Sequence, residues 1–160
     1  MKEFCEIIGD ISKYTVNKTG DRYYGNASLR CSGSFLITKS NIPKDNIQPT
    51  DFVVATSENS SIDAPIHVEL YKLFPNINYI IHGHAYLSMN LLDSELIRCT
   101  KKQYPPGDVK IIKEIKKIVG NQEFFFVNLR DHGFMIGTDT IERMKLIVND
   151  GLVEFNEIVK

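Results

Sequence analysis

The sequence predicts one layered α/β/α domain over residues 1–160, with helices on both sides of a mixed, largely antiparallel central sheet. Three observations predict it. Segments of helical and of extended periodicity interleave along the chain, with no repeat, low-complexity tract or linker between them. Many connections between extended segments are too short to hold a crossover helix, which disfavours a purely parallel sheet. The chain has 160 residues, 42% hydrophobic and 24% charged, which is ordinary for one soluble domain with a core of its own.

Phe4, Ile7, Ile8, Ile11 and Tyr14 recur at helical spacing, so residues 2–16 read as an amphipathic helix, closed by Asn17-Lys18-Thr19-Gly20. Residues 24–30 and 33–38 read as a hairpin split at Cys31-Ser32-Gly33, and residues 51–56 as a further extended run carrying Phe52, Val53 and Val54. Pro65 suits the first turn of a helix through His67, Leu70, Tyr71 and Phe74, with Asp63 or Ala64 at its cap and Pro75 ending it. Residues 77–84 are β-rich, and Ile80-Ile81 makes them apolar on both faces, as in a strand buried within a sheet. After Pro105-Pro106-Gly107, Asp108 is placed to cap a helix displaying Val109, Ile112, Ile115 and Val119, which Gly120 ends. Residues 123–129 and 133–137 read as two more strands. The last helix opens with Asp139 and Glu142 in capping-box spacing and turns Ile141, Met144, Ile147 and Val148 inward, with Gly151 placed to bend or interrupt it.

Nineteen basic against twenty acidic residues leave a formal charge of −1, so the chain as a whole has no electrostatic reason to seek nucleic acid or an anionic membrane. No stretch approaches the roughly 18 apolar residues of a membrane span, and the N-terminus has neither a leader's nor an anchor's pattern. Cys5, Cys31 and Cys99 lie far apart and form no CxxC pair, which fits the reducing cytoplasm.

On a strand, side chains at i and i+2 emerge on one face, so His82 and His84 can converge on a single ion, with Gly83 between them adding no bulk. Zinc of the catalytic kind takes three protein ligands and keeps a position open. His132, at the bend Asp131-His132-Gly133 between two strands, is the best third ligand. His-x-His alone is a weak signal. His67, on a helix among apolar residues, reads as a hydrogen-bonded structural histidine. Ser61-Ile62-Asp63 precedes a helix N-terminus and is either an anion site or an ordinary cap, with capping the more economical reading. Gly25-Asn26-Ala27-Ser28 and Thr38-Lys39-Ser40-Asn41 are each either a phosphate-binding loop or a turn.

Five blocks nonetheless occur in a telling order: Gly25-Asn26-x-Ser28-x-Arg30, Phe35-Leu36-Ile37-Thr38, Ser61-x-Asp63-x-Pro65-x-His67-x-x-Leu70-Tyr71, His82-Gly83-His84-Ala85 and Asp131-His132-Gly133. In this the chain resembles the class II aldolase/adducin family, over about residues 20–145. The resemblance implies that His82, His84 and His132 hold zinc or another divalent ion such as manganese or cobalt. It implies a sugar-phosphate substrate and an aldolase-type lyase that breaks a carbon–carbon bond through a metal-stabilised enediolate. Epimerase, dehydratase and decarboxylase relatives share that chemistry, and adducin's head domain keeps the fold as a binding module. Asp63 falls at the family's catalytic acidic position, and the phosphate positions fall on Asn26, Ser40, Asn41 and Ser61. Where the family usually has Thr-Gly this chain has Ser40-Asn41, and Ile62 replaces one of two paired serines. Tyr104 is the nearest candidate for a proton donor. A cyclic homotetramer is the assembly the resemblance implies.

Overall fold

The computed structural model describes residues 1–15, 18–87 and 98–153. Helix α1 (Lys2–Ser12) is followed by the paired two-residue strands β1 (Lys18–Thr19) and β2 (Arg22–Tyr23), then by β3 (Asn26–Cys31), β4 (Ser34–Thr38) and β5 (Phe52–Val54). Helix α2 (Ala64–Leu73) leads to β6 (Tyr79–Gly83), β7 (Tyr86–Leu87) and β8 (Arg98–Cys99). Helix α3 (Ile111–Val119), β9 (Phe125–Leu129), β10 (Gly133–Thr138), α4 (Ile141–Gly151) and β11 (Leu152–Val153) complete the order. The first helix ends at Ser12, short of the predicted boundary, and position 16 lies outside the described residues.

Seven strands form the central sheet in the order β5-β4-β3-β6-β10-β9-β8. Every neighbouring pair in it is antiparallel except β8 with β9, so the sheet is mixed and largely antiparallel, as predicted. A separate antiparallel pair joins β11 to β7. The β3–β4 hairpin turns at Ser32-Gly33, where both residues have positive φ. Side-chain alternation sends Ile81, Phe126, Phe134 and Ile136 into one apolar cluster with Phe4, Ile7, Ile8 and Ile11 of α1 and Met144 and Ile147 of α4. Ile80, Phe125, Val127 and Met135 face the other way, into a cluster with Leu70 and Tyr71 of α2 and Ile111, Ile115 and Val119 of α3. The sheet is thus covered on both faces, which is the predicted layering.

Two helix starts differ from the sequence reading. Helix α3 begins at Ile111 because Asp108 first closes a turn, its Oδ1 accepting from Lys110 N at 3.0 Å. Ile111 therefore takes the core position, and Val109 stays 46% exposed. Helix α4 is capped by Thr140, whose Oγ1 accepts from Arg143 N at 3.2 Å, while Asp139 pairs with the Arg143 guanidinium at 2.6 Å. Gly151 is the last residue of α4, and β11 follows at once.

Candidate metal centre

The centre lies at one end of the middle strands. His82 is the penultimate residue of β6, His84 follows the strand, and His132 sits in the turn between β9 and β10. The β6–β10 register sets Phe134 opposite Gly83, which brings that turn against the end of β6. Gly133 makes the approach feasible: at φ 141°, a Cβ there would overlap the Gly83 carbonyl oxygen and lie 2.9 Å from His84 Cα. Gly25 does the same from the other side, at φ 77°, where a Cβ would lie 2.9 Å from the His82 carbonyl oxygen.

The three imidazoles form a nearly equilateral triangle, with ring centroids 5.2 Å (His82–His84), 4.9 Å (His82–His132) and 5.0 Å (His84–His132) apart. One ligand atom from each lies within 4.8 Å of the others. His82 Nδ1 meets the Phe134 carbonyl oxygen at 2.8 Å, and since a carbonyl only accepts, that nitrogen carries the proton and Nε2 is left as a lone-pair donor. The His84 ring stacks on Tyr24 at 4.7 Å. Burial, then the neighbouring His82 and His132, push the His84 pKa down to about 3. Burial and His82 bring His132 down to about 4. Both rings are therefore neutral, the form that ligates metal. Three converging imidazoles of this kind fit a divalent ion such as zinc and leave a position free for a substrate or water.

Asp63 stands at the N-cap position of α2 but makes no side-chain capping bond. Its carboxylate instead accepts from Asn26 Nδ2 at 2.7 Å and from Gly107 N at 2.8 Å. Burial alone would raise this carboxyl, but the adjacent His82 and His67 and the two N–H donors outweigh it and hold the group below the usual carboxylate range. Asn26 pairs in register with His82, so one amide links the carboxylate to the histidine strand. The Asn26 Oδ1 is buried without a hydrogen-bond partner among the described residues. His67 is fully buried and pushed down to about 3 by that burial; its Nδ1 lies 2.7 Å from Ser28 Oγ, which lies 2.9 Å from Tyr71 OH.

A cavity of about 430 Å³ opens over these groups. It is lined by Asn26, Ser40, Asn41, Ser61, Asp63 and the three histidines, so the residues singled out for substrate and metal share one space. Tyr104 lines an adjoining cavity with His84 and His132; its hydroxyl donates to Glu114 Oε2 at 2.8 Å, and that bond raises its pKa. Sequence reasoning missed the Phe134 carbonyl and the Gly107 amide, because backbone groups carry no residue signature. It also missed Arg22 and Tyr24, which line the cavity from β2 and the residue after it.

The chain resembles several known proteins. A segment of 70 residues is 33% identical to methylthioribulose-1-phosphate dehydratase from Yersinia enterocolitica; the match takes in 38% of this chain and 33% of that enzyme. In structure it resembles L-fuculose-1-phosphate aldolase from Thermus thermophilus, with a TM-score of 0.65 at 18% identity over 93% of this chain and 89% of the other. An aldolase II superfamily protein from Pseudomonas syringae gives a TM-score of 0.66 at 15% identity, over 92% of this chain and 70% of the other. The Class II Aldolase and Adducin N-terminal domain family matches residues 10–148, and with most of the chain matched and the histidine triangle built at the end of its central strand, the chain belongs to that family.

Proposed function

We propose that the chain is a metal-dependent sugar-phosphate lyase that cleaves a carbon–carbon bond by retro-aldol chemistry, with zinc as its resident ion. The observation that carries this reading is the convergence of His82, His84 and His132 with the Asp63 carboxylate on one cavity. A divalent ion held by the three histidines would supply Lewis-acid polarisation of a ketose carbonyl, the stabilisation that an enediolate requires. Asp63, kept ionised by its N–H donors, is set to exchange a proton with the substrate carbon next to that carbonyl. The complementary proton, at the hydroxyl that becomes the product aldehyde, falls to Tyr104 once its hydroxyl leaves Glu114. Asn26, Ser40, Asn41 and Ser61 line the same cavity, which supports their role as neutral contacts to the phosphate.

A second reading is dehydration of a ketose phosphate, favoured by the match to methylthioribulose-1-phosphate dehydratase. There Asp63 would take the proton from the carbon next to the carbonyl and the β-hydroxyl would leave as water. In the retro-aldol, by contrast, the proton leaves that hydroxyl, the carbon–carbon bond supplies the electrons, and Asp63 returns a proton to the carbon. Three unpaired cysteines support a cytoplasmic setting, no helix among the described residues is long and apolar enough to cross a membrane, and family membership supports a homotetramer that sedimentation would test. The reading is tested by elemental analysis of dialysed protein and of His82→Ala and His132→Ala, together with the melting shift caused by dihydroxyacetone phosphate. One divalent ion per chain, lost in both variants, with a rise in melting temperature on adding the ketose phosphate, is the expected result. No metal after incubation with zinc would overturn the reading.

A further inference from the structure

The cavity's four polar positions, Asn26, Ser40, Asn41 and Ser61, offer an anion no charged donor. Ser40 N already donates to the Asn59 carbonyl at 2.9 Å, and Ser61 N to the Thr38 carbonyl at 3.2 Å. Asp63 N donates to Ser61 Oγ at 3.3 Å and Ala64 N to the Ser61 carbonyl at 3.0 Å. The Asn41 side chain accepts from Tyr23 N at 2.8 Å, and one N–H of the Asn26 amide is spent on Asp63. Ile62, at the rim, offers an apolar side chain that is 64% exposed. The donors these loops keep, the serine hydroxyls among them, are neutral, whereas a phosphoryl group brings about two negative charges.

Two cations line the cavity, Arg22 and Lys39. Lys39 Nζ donates to the Thr50 carbonyl at 2.9 Å. The Arg22 guanidinium makes no hydrogen bond or ion pair among the described residues, while its backbone is held in the β1–β2 pair. Within the small hairpin it pairs with Thr19, and the adjoining Tyr23 N–H is tied to Asn41 in the loop across the cavity. A planar guanidinium so placed can grip a phosphoryl group with two parallel N–H bonds. We propose that Arg22 is the specificity-determining residue that binds the anionic end of the substrate, adding the formal positive charge that the neutral donors of the Ser40-Asn41 and Ser61-Ile62 loops do not carry. Arg22 and the histidine triangle line one cavity, so the ligand they would take carries an anionic group at one end and a polyol at the other.

That the anion is a sugar phosphate rests on the proposed function, so the experiment separates the two. Zinc-loaded protein, Arg22→Ala and Arg22→Lys are titrated calorimetrically with dihydroxyacetone phosphate and with unphosphorylated dihydroxyacetone. Arg22→Ala is expected to weaken the phosphorylated ligand about 10- to 100-fold, the loss of charge-assisted hydrogen bonds, while leaving the unphosphorylated one unchanged; Arg22→Lys recovers part of the loss. A change under twofold for the phosphorylated ligand, or an equal loss for both ligands, overturns the role of Arg22 and leaves the lyase reading standing. If the phosphorylated ketose does not bind the unaltered protein, the lyase reading falls, and millimolar inorganic phosphate decides on Arg22. A saturable shift of the Arg22 Nε–H signal in 15N-arginine spectra upholds the anion site, and no shift overturns it.

Discussion

Gly133→Ala puts the construction of the metal centre to a quantitative test. The added Cβ overlaps the Gly83 carbonyl oxygen and approaches His84 Cα to 2.9 Å and Gly83 C to 3.0 Å. Ordinary contacts are near ~3.5 Å or more, so the His132 turn must withdraw from the Gly83 carbonyl oxygen by about 1 Å or more. Zinc ligation tolerates about 0.2 Å. The residue must also hold φ 141°, which costs a residue with a side chain on the order of 1–3 kcal/mol. Urea unfolding of the metal-free variant is expected to show a loss of about 2–4 kcal/mol. Competition with a chromophoric chelator is expected to show zinc affinity down about 10- to 100-fold, the range seen when the support of a ligand is disturbed. Unchanged zinc affinity would refute the argument that the close approach at Gly133 sets the spacing of the histidines.

Asp63→Asn keeps the shape of the side chain and removes its charge; turnover of a ketose phosphate is expected to fall about 10²- to 10⁴-fold with metal content unchanged, as measured by product formation and elemental analysis. Lys44 is 5% exposed, donates to the Ile42 carbonyl at 2.6 Å, and is pushed down to about 8 by burial. Its folded-state pKa lies below the unfolded value of 10.5, so the charge opposes folding at neutral pH, and stability rises as pH climbs from about 8 towards 10.5. Lys44→Met is therefore expected to stabilise the protein by up to about 3 kcal/mol at pH 7 and by progressively less above pH 8, as read from chemical denaturation across that range. Tyr71→Phe deletes a hydroxyl 2.9 Å from Ser28 Oγ in a buried chain that ends on His67, and is expected to cost about 1–3 kcal/mol in the same assay.

The sheet was legible because it follows from the two-residue period of a strand, and the same period suggested His82 and His84 as a converging pair. The structure brings these together with His132 from the β9–β10 turn, although His84 itself lies just past the end of β6. Asp63 was not legible in this way. An acidic residue before a helix reads first as a cap and only second as a site residue, and here the decision rests with partners 37 and 44 residues away, Asn26 and the Gly107 amide. The hairpin bearing Arg22 escaped notice because Lys18, Thr19, Arg22 and Tyr23 show no hydrophobic alternation. The starts of α3 and α4 moved because short local bonds from Asp108 and Thr140 compete over two or three residues, where periodicity is silent. Strand β8 is two residues pairing in parallel with β9, too short for any pattern.

The position of β6 in the strand order bears on how the protein folds. Strands β3–β4 and β9–β10 are hairpins of neighbouring segments, which close quickly because little chain entropy is lost. Strand β6 pairs with β3 on one edge and β10 on the other, and so joins the two hairpins into one sheet. The histidine triangle straddles that seam, with His82 and His84 from the joining segment and His132 from the turn of the second hairpin. A divalent ion held by all three histidines can bind tightly only after the joining step, so in a refolding experiment metal uptake would time the slow, long-range closure of the sheet and leave the early hairpins unseen.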